Sequence, residues 1–130
     1  MNYQSFVLVG VAGAGGAMAR YGVGLAAGRL LSHHTAVGTL IVNILGCLLL
    51  GAVLELERHT DLVSPSVRLL LAVGFLGSFT TFSAFGYETF RYLQDGLTHL
   101  AVGNVAANLV LGMVAVWLGW GVSRLYLGGV

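Results

Sequence analysis

The sequence predicts an all-α membrane protein of four transmembrane helices, the third of them broken near its middle. Three observations carry this. The chain of 130 residues is 57% hydrophobic and only 8% charged, whereas a soluble domain of this size covers its surface with far more charge. Four apolar segments, at 6–30, 36–56, 67–92 and 101–126, each come near or above the ~20 residues that a helix needs to cross the hydrocarbon core. The third segment also contains G-F-L-G-S-F-T-T-F-S-A-F at 74–85, a composition for which a lipid-facing helix has no use. Residues 1–130 thus read as one four-helix domain joined by short linkers at 32–35, 57–66 and 94–100, with little mass outside the membrane.

The first segment is glycine-rich, and Gly24 and Gly28 form a GxxxG pair, a signal for close helix packing. A dinucleotide fingerprint is excluded, because no strand precedes these glycines and no acidic residue follows about 20 positions on. Ala12, Gly13 and Ala14 have the small-x-small form of a signal cleavage site. No positive region precedes them and the apolar pattern runs on past them, so the segment reads as an uncleaved first helix. Arg20 is a charge within a membrane segment, which is costly and marks function by default. Snorkelling to the nearer interface is the plainer alternative.

In the second segment Thr39 and Asn43 are four apart and share a face. Asn43 brings two N–H donors into a desolvated place; helix–helix glue is the alternative use of an intramembrane asparagine. Cys47, the single cysteine, lies in an apolar run and reads as a small packing residue, with no disulfide or zinc site available. Pro65, the only proline, follows Ser64 where a helix would start.

The third segment carries the chemistry. Gly77 can leave helical φ/ψ without a Cβ penalty, and the hydroxyls of Thr80 and Thr81 can satisfy the backbone groups that a break frees. Irregular backbone at membrane depth is tolerated only where it is buried in protein or lines a watery cavity, and broken half-helices at the midplane recur as ion sites. A merely tight helix contact would use the same glycines. Ser83 adds a hydroxyl, Phe82 and Phe85 are three apart, and Glu88 lies a turn beyond. The edge of a benzene ring is the positive end of its quadrupole. In the fourth segment Asn104, Asn108 and Gly112 share a face, while Trp117, Trp120 and Tyr126 suit an interfacial belt.

The whole-chain balance excludes several classes. A net charge of +1 leaves no basic patch for nucleic acid. His33, His34, His59 and His99 lack the spacing of metal ligands. Arg58, Arg68 and Arg124 fall on one side of the membrane and Arg29 and Arg91 on the other, with Arg20 there if counted. That is no bias, so both orientations are expected in one membrane. Amide and hydroxyl donors, ring edges and one arginine, without an acid near the middle, suit a small, hard, strongly hydrated anion.

Taken with G-G-A-M-A-R-Y at 15–21, G-T-L-I-V-N-I-L-G at 38–46 and Glu88, the 74–85 string resembles the Fluc (CrcB) family of fluoride channels over nearly the whole chain. The resemblance implies an antiparallel, dual-topology homodimer among the lipids of the cytoplasmic membrane, with two fluoride pores along the subunit interface. It implies passive export that relieves fluoride toxicity, without covalent chemistry and hence no enzyme. It implies a structural sodium ion at the dimer centre, held by backbone carbonyls that fall here on Gly77 and Thr80. The fluoride pathway would then comprise Arg20, Thr39, Asn43, Phe82, Ser83, Phe85, Glu88, Asn104 and Asn108. The last two depart from the family's tyrosine and serine, and their N–H₂ groups are expected to face the pore in place of hydroxyl donors. Two rival classes are weaker. A small multidrug transporter needs a mid-membrane acid, which the first three helices lack, and a non-transporting membrane subunit leaves the Phe/Thr/Asn cluster without a use.

Overall fold

The computed structural model describes residues 3–30 and 35–128. They form an all-helical protein with four helices long and apolar enough to cross a membrane. The first two are continuous, α1 over Tyr3–Leu30 and α2 over Thr35–His59. The third span, Pro65–Gln94, is composite. It opens as α3 (Pro65–Arg68), continues through a π-helical stretch (Leu69–Leu76) into α4 (Gly77–Phe79), breaks, and resumes as α5 (Phe82–Gln94). The fourth, α6, covers Thr98–Gly128. Each span outruns its apolar segment at one or both ends, because polar residues continue the backbone hydrogen-bond ladder beyond the stretch that hydropathy marks. The middle linker shrinks accordingly to residues 60–64. His33 and His34 lie outside the described residues.

Local chemistry sets the ends. The Ser64 hydroxyl accepts the Val67 N–H at 3.3 Å and Pro65 occupies the first turn, so the third span starts where the sequence suggests. Between α5 and α6, Gly96 adopts φ 73°, the left-handed conformation that favours glycine. There the Leu97 N–H reaches back to the Tyr92 carbonyl at 2.8 Å, closing α5 and turning the chain in three residues.

Glycines set the packing. A Cβ on Gly51 would overlap the Val116 carbonyl, and one on Gly119 would overlap the Leu48 carbonyl, so α2 and α6 touch backbone to backbone. The Ser123 hydroxyl joins the same seam by donating to the Ala52 carbonyl at 3.0 Å. On the other side α1 meets the π-helical stretch. A Cβ on Gly16 would overlap the Phe75 carbonyl, and one on Gly74 would stand 2.7 Å from Ala12 Cβ. The Gly24/Gly28 pair does not act as expected. Among the described residues of one chain, a Cβ on Gly24 or on Gly28 would meet nothing within 4 Å, although a Cβ on Gly38 of α2 would stand 3.4 Å from Gly24 Cα. Glycines with no neighbour across from them carry no packing information, and spacing alone does not tell the two kinds apart.

At the ends of α2 and α6, the buried Glu55 carboxylate pairs with Arg124 and with His59, the latter at 3.2 Å. Phe6, Val11, Met18, Val73, Phe90 and Leu125 are exposed on the outer faces of the bundle, where lipid rather than water suits them.

Gly119→Val should prevent normal packing, since backbone cannot yield as a side chain can; overpacking costs roughly 1–3 kcal/mol even where side chains give way. Gly28→Ala should leave packing within the protomer unchanged. Size-exclusion chromatography and thermal melting in detergent check both. A Gly119→Val variant that elutes and melts like the parent would contradict the backbone contact.

Candidate functional site

The break in the third span lies at Thr80 and Thr81, not at Gly77. Gly77 is helical, with φ −61° and ψ −32°. Thr80 (φ −82°, ψ 159°) and Thr81 (φ −150°, ψ 116°) are extended, in regions any residue adopts. The reason is the supply of partners. Thr80 still gives its N–H and its hydroxyl to the Leu76 carbonyl, both at 3.1 Å. Thr81 gives its N–H to Asn43 Oδ1 on α2 at 2.9 Å, and its carbonyl accepts from Asn43 Nδ2 at 3.3 Å. One side-chain amide thus serves both polar groups of Thr81, as a neighbouring strand would. The Thr81 hydroxyl then accepts the Ala84 N–H at 3.2 Å and starts α5, and it shares a hydrogen bond of 3.1 Å with Ser83 Oγ. In an unbroken helix the Gly77 carbonyl would take the Thr81 N–H. Here it loses that donor.

Two cavities flank the break, and Thr81 lines both. The larger, about 620 Å³, brings together Arg20, Thr39, Ser83 and Glu88. Arg20 is half-buried and has no ion pair or hydrogen bond among the described residues. The buried Thr39 hydroxyl donates to Glu88 Oε1 at 2.7 Å, which leaves Glu88 Oε2 buried without a hydrogen-bond partner among the described residues. The smaller cavity, about 300 Å³, gathers Asn43, Phe82, Phe85 and Asn108 together with Gly77 and Thr80. The two phenylalanine rings meet edge to face, centroids 5.4 Å apart at 60°. Phe82 is 81% exposed in the single chain, so most of its ring lies open.

Asn104 stands apart, in a third cavity of about 240 Å³ beside Tyr92 and His99. Hydrogen bonds nevertheless tie it to the others. Asn43 Nδ2 donates to Asn108 Oδ1 at 2.9 Å. Asn108 Nδ2 reaches the Asn104 carbonyl at 3.0 Å and Asn104 Oδ1 at 3.2 Å, and Asn104 Nδ2 donates to Thr89 Oγ1 at 2.9 Å. The N–H₂ group of Asn108 is therefore committed to Asn104 rather than standing free in the cavity. Sequence reasoning passed over Thr89, which lies four residues after Phe85 on the same face of α5. It also passed over the Thr81 peptide as the partner of Asn43.

The oxygen chemistry at the break suits a hard cation. Among the described residues no group of three His, Cys, Asp or Glu side chains stands together. The Gly77 and Thr80 residues line one cavity, and the Gly77 carbonyl is without its helical donor. A Cβ at Gly77 would meet only the Ala72 carbonyl, at 3.6 Å, so within one chain neither φ nor room for a Cβ requires a glycine there.

Residues 7–120 match the family described as CrcB-like protein, Camphor Resistance (CrcB). A protein of Geotalea daltonii named fluoride-specific ion channel FluC is 39% identical over 121 residues, covering 93% of this chain and 98% of the relative. Proteins of the same name from Acidobacterium capsulatum and Geobacter sulfurreducens are each 44% identical. They match over 117 and 119 residues, covering 89% and 88% of this chain and 93% of each relative.

Asn43→Leu should leave the Thr81 N–H and carbonyl without their side-chain partners. An unsatisfied buried polar group costs about 1–3 kcal/mol, so the variant should melt well below the parent in detergent. An unchanged melting temperature would mean that the break does not depend on Asn43.

Proposed function

Because the chain belongs to the CrcB family, we propose that it is a fluoride channel that exports fluoride passively across the cytoplasmic membrane and so relieves fluoride toxicity. The observation that carries the proposal is the pair of donor-lined cavities meeting at Thr81, which gather Arg20, Thr39, Asn43, Phe82, Ser83, Phe85, Glu88 and Asn108. Fluoride is small and strongly hydrated, and a membrane passage must replace its water with N–H, O–H and ring-edge contacts. The Arg20 guanidinium, without an ion pair among the described residues, draws the anion into the larger cavity, where Ser83 offers a hydroxyl beside Thr39, whose own proton goes to Glu88. Beyond Thr81 the edges of Phe82 and Phe85 take over, beside the Asn43 and Asn108 amides, whose N–H₂ groups are engaged with Thr81, Asn108 and Asn104. Nothing in this passage makes or breaks a covalent bond, in keeping with a channel rather than an enzyme.

The single chain also leaves surfaces that a second copy would use. Gly77 is exposed and has no need of being glycine within the protomer, and the Phe82 ring lies open. An antiparallel, dual-topology homodimer would cover both and would bring two breaks together. Sodium is hard and takes oxygen ligands, so the Gly77 and Thr80 carbonyls of each copy fit it. Bound there, it would supply a positive charge that offsets the dipoles of those carbonyls.

A proton-coupled drug transporter is disfavoured by the acids present. Glu55 is committed to Arg124 and His59 at a helix end, and Glu88 is held by Thr39.

Liposomes carrying the purified protein and loaded with fluoride test the proposal with a selective electrode. Fluoride should leave rapidly and chloride should not. The Phe82→Ile/Phe85→Ile variant keeps bulk and removes the quadrupoles, so it should slow efflux by about tenfold, equivalent to ~1.4 kcal/mol, with its elution volume unchanged. Parent protein that releases no fluoride would overturn the proposal. A fully conducting double variant would reduce the rings to packing.

A further inference from the structure

Asn43, Asn108, Asn104 and Thr89 form a chain in which every link points the same way. The Thr81 N–H donates to Asn43 Oδ1, Asn43 Nδ2 to Asn108 Oδ1, Asn108 Nδ2 to Asn104 Oδ1, Asn104 Nδ2 to Thr89 Oγ1, and the Thr89 hydroxyl to the Phe85 carbonyl. The distances are 2.9, 2.9, 3.2, 2.9 and 2.8 Å in that order.

A side-chain amide can turn end for end with almost no change of shape. The sense of such a chain is therefore fixed by the groups at its ends that cannot turn. At one end a backbone N–H can only donate, which holds the oxygen of Asn43 toward Thr81. At the other end the Phe85 carbonyl can only accept. It takes the one proton of the Thr89 hydroxyl and leaves Thr89 only lone pairs to offer Asn104. The two ends demand the same sense, so the amides order cooperatively. The consequence for an anion is specific. Each amide oxygen, the end that repels an anion, is covered by a donor from the preceding member. The N–H₂ ends of Asn108 and Asn104 are turned along the row away from Thr81, while Asn43 Nδ2 also donates back to the Thr81 carbonyl at 3.3 Å.

We propose that Thr89 is a positioning residue of the ion pathway. It acts through Asn104, whose Oδ1 joins the Asn104 backbone carbonyl in accepting from Asn108 Nδ2, and so helps hold Asn108 in the amide orientation that keeps its oxygen covered by Asn43. The proposal rests on the fluoride-channel reading. It also accounts for how two asparagines work as a pair, since each orients the next. Without an acceptor at Thr89, Asn104 is free to turn, and Asn108 then loses one of the two acceptors of its N–H₂ group and is held less firmly in that orientation.

Fluoride efflux from liposomes, with elution and melting measured on the same preparations, tests this. Thr89→Val preserves shape and removes the acceptor; efflux should slow by about threefold to tenfold, the scale of one or two hydrogen bonds. Thr89→Ser restores the hydroxyl and should recover most of the flux, which a purely packing role for the threonine methyl would not give. Asn104→Leu should slow efflux too, and the double variant Thr89→Val/Asn104→Leu should be no slower than Asn104→Leu alone, because one residue acts through the other. If Thr89→Val does not fold, Thr89→Ala takes its place in the same cycle. Thr89→Val conducting like the parent, or the two single effects multiplying in the double variant, overturns the inference while the channel reading stands. Parent protein without fluoride efflux overturns both.

Discussion

The Thr81 N–H has no backbone carbonyl to go to, and the amide of Asn43 receives it at 2.9 Å. Most of the structure answers to this one interaction. Within a bilayer no water is at hand to satisfy a peptide group taken out of a helix, and each such group left bare costs several kcal/mol. A broken helix therefore exists here only because α2 delivers a donor and an acceptor to the same residue. The interaction has to be delivered at close range, and the sequence of α2 provides for that as well. Gly46, three residues from Asn43, is where a Cβ would overlap the Thr80 methyl group. One residue pins the break and the other makes room for it.

The same constraint reaches α6. Asn43 uses its second polar end on Asn108, which requires α6 to approach α2 closely along their length. Gly51 and Gly119 permit backbone contact near one end of the seam, and Gly112 admits Cys47 Sγ, which would stand 3.5 Å from a Cβ there. The glycine contacts and the asparagine row are two parts of one geometry. On the opposite side, Gly16 and Gly74 seat the π-helical stretch, which leads into the break, closely on α1.

Hydropathy located the four spans, because the cost of burying charge in lipid is local and can be read residue by residue. It located their ends less well, since His59, Gln94 and Thr98 belong to helices by hydrogen bonding and not by apolarity. The break was legible in kind within 74–85, from Thr80 and Thr81 beside phenylalanines, but Gly77, the residue that signals freedom to leave the helix, stays helical. Glycine is the usual local signal for irregular backbone. Here the deciding partner is Asn43, 38 residues away in sequence, and its effect falls on a threonine that needs no special φ. The π-helical stretch had no signal in composition. Gly24 and Gly28 read as a packing pair, yet among the described residues of one chain a Cβ on either meets nothing within 4 Å, because spacing along one helix says nothing about what lies across from it. Asn104 and Asn108 were correctly placed on one face. Their commitment to each other, and to Thr89, depends on the approach of α2 and α5 and could not be read from α6 alone.

The account turns on Asn43 serving as a substitute for helical backbone at Thr81. Amide hydrogen exchange at Thr81, measured by nuclear magnetic resonance on the protein in detergent micelles or nanodiscs, tests that most directly. The account predicts that the Thr81 amide exchanges as slowly as those in the flanking helices although it lies in extended backbone, and that Asn43→Leu removes the protection there while amides in α1 keep theirs. Fast exchange at Thr81 in the parent protein, or protection that survives Asn43→Leu, would contradict it.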